Sequence, residues 1–196
     1  MSSYAKVKVK DGKYKVSGAF HHLEQGTPIR DENDNWKLVG VTKPRSMTYI
    51  HTYGGEAIFF ESLSEGKILA TRCDNPKCAT KGSVYIPFRV HCPDCLVKNT
   101  TIDLTNICKE TARIHTFMIC ERSGAFNTLD KPMRFINLEF DGACTILMSY
   151  LVVGEPVMGK RVIPVFRKTD PTYTITDLAW VVEGTQKGQL PQGFDF

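Results

Sequence analysis

No apolar run in the 196-residue chain approaches the roughly 18 to 20 residues that a membrane-spanning helix needs. The N-terminus, MSSYAKVKVK, also lacks the apolar stretch of a secretory signal. Both absences predict a soluble, cytoplasmic protein. Charge of one sign is scarce as well: 25 Lys and Arg stand against 21 Asp and Glu, a net of +4, too mild for a protein that coats polyanions. There is no Ser-His-Asp signature, no paired-carboxylate motif and no Gly-rich phosphate loop, since YGGE at 53–56 is too short to count as one. The five His, including His21 and His22, have no partner pattern. These gaps predict no catalytic residue in this chain. With 42% apolar and 23% charged residues, the sequence can bury a core and is neither disordered nor fibrous.

Seven cysteines, an odd number, argue against a wholly disulfide-paired scaffold. Cys73 and Cys78 enclose four residues and Cys92 and Cys95 enclose two, with thirteen residues between the pairs. Each pair closes a tight turn, and two such turns face to face make a tetrahedral four-thiolate site suited to structural zinc. Pro76 and Pro93 stiffen the two knuckles. The segment ATKGSVYIPFRVH has the length and β-like content of a hairpin between them. Rubredoxin-type iron uses the same ligands, and a thiol redox centre at Cys92-Pro93-Asp94-Cys95 is a further alternative. Catalytic zinc fits least, because four cysteines close the shell and leave His91 outside it. Cys108, Cys120 and Cys144 lie singly in apolar text and are expected to be buried free thiols.

Along the chain, KVKVKDGKYKV at 6–16 alternates around Asp11-Gly12 as a two-stranded hairpin with one wet face. Its five lysines make either an edge ribbon guarded against other strands or an arm that grips an acidic partner. Residues 26–45 are dense in Gly, Pro, Asn and Asp and predict loop, with Trp36 anchoring onto a core or a partner. GEAIFFESLSEGKIL predicts a short amphipathic helix carrying Ala57, Phe60 and Leu63 on one face and stopping at Gly66. Strands are predicted at 100–105, 111–120, 133–141, 143–153, 161–167 and 172–182, which suggests a small barrel or sandwich. The tail GQLPQGFDF reads as a loose end or docking peptide. The predicted division is an extension at 1–50, a helical segment at 51–70, a zinc ribbon at 71–98, and a barrel with its tail at 99–196.

This order, with EGKIL ending the helix, then Tyr85, Pro87 and Arg89 before Cys92-Pro93-Asp94-Cys95, and Gly154, Val157, Gly159 and Val165 near the barrel's end, resembles the acyl-CoA-associated zinc-ribbon plus OB-fold family. The resemblance covers about residues 53–168. The four-residue first knuckle is wider than in many members.

The resemblance implies a mainly β protein: a rubredoxin-like zinc ribbon followed by an OB-fold barrel. It implies a non-catalytic, zinc-binding small subunit bound to a thiolase-superfamily enzyme, supporting that partner and its acyl-CoA channel, with bulky or aromatic acyl-CoA as one substrate class. A CoA ester would then be a ligand shared with the partner. Cations suited to its phosphates are Arg89, Lys81, Lys160 and Arg161, with Arg122, Lys131 and Arg134 around the long barrel loop. The competing class is a single-stranded nucleic-acid module, in which Phe117, Phe135, Phe140 and Tyr150 would stack bases.

Overall fold

The computed structural model describes residues 6–10, 13–17, 21–23, 27–31, 33, 35–42, 45–47, 53–121 and 129–196. The chain divides into two compact units, Met1–Thr52 and Tyr53–Phe196. Arg122 and the side chains of His21 and His22 lie outside the described residues.

In the first unit β1 (Lys6–Lys10) pairs with β2 (Lys13–Ser17), β3 (His21–Leu23) with β6 (Arg45–Met47), and β4 (Thr27–Asp31) with β5 (Lys37–Thr42), all antiparallel. The hairpin predicted at 6–16 is therefore present. Along the backbone its register sets Lys8 opposite Lys15 and Lys10 opposite Lys13. The loop predicted at 26–45 is instead mostly strand. Ile29, Val39 and Val41 supply β propensity, while Asn33, Asn35 and Trp36 gather at the bend, where the latter two have φ of 50° and 56°. Trp36 is 60% exposed at that bend and not anchored in a core.

The second unit opens with a single 3-10 turn, Gly54–Glu56, leading into α1 (Ala57–Ser64). The buried face of α1 is Phe59, Ser62 and Leu63; of the predicted stripe Leu63 is buried, Phe60 is half-buried against the core and Ala57 is exposed. Phe59 and Leu63, four apart, present far more apolar area than Ala57, which is exposed. Phe60 instead stacks on Tyr53 with ring centroids 4.0 Å apart. Gly66, at φ 77°, ends the helix as predicted.

Next comes a three-stranded sheet of β7 (Leu69–Arg72), β8 (Val84–Tyr85) and β9 (Thr100–Asp103), in the order β8-β7-β9. A helix that the sequence reading lacked, α2 (Thr105–Thr111), connects it to the barrel; Asp103 starts it by accepting from the Thr105 N–H at 2.8 Å.

The barrel comprises β10 (Arg113–Cys120), β11 (Met133–Glu139), β12 (Leu147–Val153), β13 (Val162–Arg167) and β14 (Leu178–Val182), in the order β10-β11-β12-β14-β13. The β12–β14 pair is parallel, and an antiparallel bridge between Arg113 and Arg161 joins the two ends. This is the Greek-key order of an OB-fold. Among the described residues β10 has no strand on its outer edge beyond that bridge, and Phe117, Met118 and Ile119 are exposed there.

Side-chain alternation covers both faces of the sheet. Ile136, Leu138, Leu147, Leu151, Phe166, Leu178 and Trp180 join the core that also takes Phe59, Leu63, Ile86 and Phe88 from the helix and ribbon. Met133, Phe135, Tyr150, Val165, Ala179 and Val181 form a second cluster, over which Leu190 and Phe194 pack.

Three further expectations are corrected. Residues 172–177 are not strand: the fully buried Asp177 carboxylate accepts from the Thr172 N–H, the Thr172 hydroxyl and the Tyr173 N–H at 2.7–3.0 Å, pinning a turn. The tail is not loose, because β15 (Phe194–Asp195) pairs with β13. Of the three lone cysteines Cys108 is buried, Cys120 half-buried and Cys144 exposed, its thiol donating to the Val84 carbonyl at 2.8 Å. No helix among the described residues is long and apolar enough to cross a membrane.

Candidate metal centre and adjoining groove

The first knuckle follows β7, and Gly82, at φ 88°, lets its N–H reach the Cys73 carbonyl at 2.7 Å while the Cys73 N–H donates to Ser83 O. In the second knuckle the Cys92 N–H donates to Val97 O and the Leu96 N–H to Cys92 O. Leu96 takes a φ of 59° to close that turn. The strands thus flank the knuckles: β8 and β9 both pair with β7, where the sequence suggested a hairpin wholly between the cysteine pairs. Thr80 ties the two loops together by donating to Asp94 at 2.6 Å.

The four Sγ atoms of Cys73, Cys78, Cys92 and Cys95 lie within 4.8 Å of one another. Cys73 to Cys95 is 3.8 Å and Cys78 to Cys92 is 3.9 Å. A tetrahedral zinc–thiolate centre with bonds of about 2.3 Å has edges of about 3.8 Å, so the cluster has the size to hold such an ion. His91 is exposed and serves through its backbone, bridging to Lys98.

Cys73 and Cys92 differ in how firmly they hold their protons. A backbone hydrogen bond from Cys95 draws Cys92 down to about 6 against the cost of burial, helped by the Tyr85 hydroxyl at 3.6 Å. Cys73 has a lowering backbone hydrogen bond at Asn75, but burial and the three neighbouring sulfurs outweigh it and push the thiol up to about 12. The Asn75 side chain lowers Cys95. A cation of double charge would relieve this competition by replacing the shared protons.

Beside the ribbon lies a groove of about 550 Å³, lined by Glu56, Phe59 and Phe60 from the helical segment, Pro87, Phe88 and Arg89 from the ribbon, and Ile146, Leu147, Met148 and Ile175 from the barrel. Arg89 is held by its backbone: its N–H donates to Thr71 and its carbonyl accepts from Asn99 at 3.1 Å. The predicted cations are not gathered here. Lys81 sits in the first knuckle, while Lys160 and Arg161 lie at the barrel seam, where the Arg161 guanidinium donates to Lys109 O at 3.1 Å. Of that set, Arg89 alone lines the groove. The aromatic positions Phe59 and Phe60 were legible only as helix residues.

Neither a family model nor a curated protein matches the sequence. Among solved structures, the chain is similar to a DUF35-family protein of unknown function from Sulfolobus solfataricus, at 21% identity and a TM-score of 0.49, over 69% of this chain and 90% of that one. It is also similar to a chain of an Ltp2-ChsH2(DUF35) aldolase, at 16% identity and a TM-score of 0.46, over 64% of this chain and 91% of that one. Likenesses this distant fix no function.

Proposed function

We propose that the protein is a non-catalytic accessory subunit, holding one structural zinc on Cys73, Cys78, Cys92 and Cys95, that binds a thiolase-superfamily enzyme and helps it accommodate acyl-CoA. The observation that carries this reading is the aromatic and aliphatic groove with Arg89 at its wall, set against a four-thiolate centre with no position left for substrate. The groove suits an acyl chain, and Arg89 offers two parallel donors to a phosphate or carboxylate. On this reading the zinc organises two knuckles that have little core of their own, to which a structural zinc contributes on the order of 10 kcal/mol.

The nucleic-acid reading fares worse on one observation. Phe135, Phe140 and Tyr150 are buried, which leaves Phe117 as the exposed aromatic of the four proposed for base stacking.

The test is purification from the native cells. A thiolase-fold protein should accompany the chain and stay with it at about 0.5 M salt, where screening removes most attraction between surface charges. The isolated chain should show no turnover of acyl-CoA esters. A chain that elutes alone at every salt concentration, yet holds single-stranded DNA or RNA at low salt and releases it as salt rises, would overturn the proposal.

A further inference from the structure

A second cavity, of about 380 Å³, opens on the sheet face that carries the Met133–Tyr150 cluster. Its size falls in the lower part of the range of small-molecule sites. Met133, Val152 and Phe194 line its apolar part, and Lys131, Arg134 and Arg167 bring three cations against one lining carboxylate, Asp130.

Arg167 enters this wall beside the Tyr150 hydroxyl and the buried Asp177 carboxylate. Its guanidinium lies over the Phe194 ring at 4.8 Å, and its Nε is buried with no hydrogen-bond partner. Asp177 is the nearest carboxylate, but Nε to Oδ1 is 3.6 Å, too long for a hydrogen bond. That oxygen pair already accepts three hydrogen bonds from Thr172 and Tyr173. Arg134 is paired at 3.2 Å with Glu155, whose side chain is 72% exposed, so this partner is easily exchanged for another carboxylate. Tyr150 does not compete for an anion, since burial pushes its pKa up and its hydroxyl donates to Thr176 O at 2.5 Å.

We propose that this cavity binds a small organic anion, a carboxylate on a compact apolar body. Arg167 and Arg134 receive the carboxylate, and Met133, Val152 and Phe194 take the apolar part. The site is separate from the groove beside the ribbon and does not rest on the accessory-subunit reading.

The zinc-loaded full chain is titrated with 3-phenylpropionate and with the isosteric neutral 3-phenylpropanamide, by calorimetry and by amide chemical shifts. The acid should bind at least tenfold more tightly than the amide and move the amides of Met133, Tyr150 and Phe194. Arg167→Lys and Arg134→Gln should each weaken the acid at least fivefold without altering zinc content. Because Arg167 faces a buried carboxylate and its variant risks misfolding, the partly exposed Arg134 and the wild-type shift map each decide the matter alone. The proposal is overturned if neither compound binds up to about 10 mM, if acid and amide bind equally, if Arg134→Gln binds the acid as wild type does, or if the shifts fall at Phe59 and Arg89.

Discussion

At the scale of single residues, the cysteine chemistry was the most legible part of the chain, because ligand spacing constrains geometry over only a few bonds. Cys73, Cys78, Cys92 and Cys95 could be picked out from seven thiols, and the fold brings those four together. The fates of the other three were not legible, since apolar neighbours in sequence do not say which side of a strand or turn meets water. Burial pushes the Cys108 thiol up to about 12, while Cys144 is exposed. Iodoacetamide should therefore modify Cys144 well before Cys108 in the folded chain, as peptide mass spectrometry would read; equal rates would contradict the burial described. Cys92→Ser removes a fully buried member of the four-sulfur cluster. It should abolish stoichiometric zinc and unfold β7 to β9, measured by metal analysis and by loss of amide protection in that sheet. An intact ribbon in that variant would defeat the structural role of the metal.

Among the elements, barrel strands announced themselves by alternation and turn chemistry, whereas short pieces that depend on tertiary contacts did not. The stretch TNICKET carries three residues of weak helix propensity at its start and is helical as α2 because Asp103 caps its first turn and Cys108 packs in the core. The tail pairs only when β13 is already in place. The groove was invisible because its walls come from three elements far apart in sequence. Turn glycines were legible, and Gly154 shows why: its φ is 93°, and an added Cβ would lie 2.6 Å from both Val182 methyl groups. Gly154→Ala combines a left-handed conformation with overpacking and should cost about 2–4 kcal/mol, read by denaturant melts at unchanged m-value. Deleting residues 187–196 should uncover the second apolar cluster, lowering the melting temperature and raising binding of a hydrophobic dye.

For the whole molecule, the charges of residues 53–196 sum to zero, so the net +4 belongs to the first unit. Five of that unit's nine Lys and Arg fall within residues 6–16, against the single Asp11 there. Removing residues 1–52 should leave the second unit folded with its four-cysteine cluster intact and, on the proposed function, weaken attachment to the proposed enzyme partner. Unfolding of that truncated chain would show that the two units share their stability. Strand β10 carries a different implication, one of supply. Beyond its start, where Ile114 bonds to Gly159 and Lys160, its outer edge lacks a strand among the described residues, and it exposes Phe117, Met118 and Ile119 in succession. Such an edge invites strands from neighbouring copies. Chains whose edge is left open would be lost to precipitation or proteolysis as they accumulate, so a laboratory expressing the protein should expect soluble yield to fall as its concentration rises.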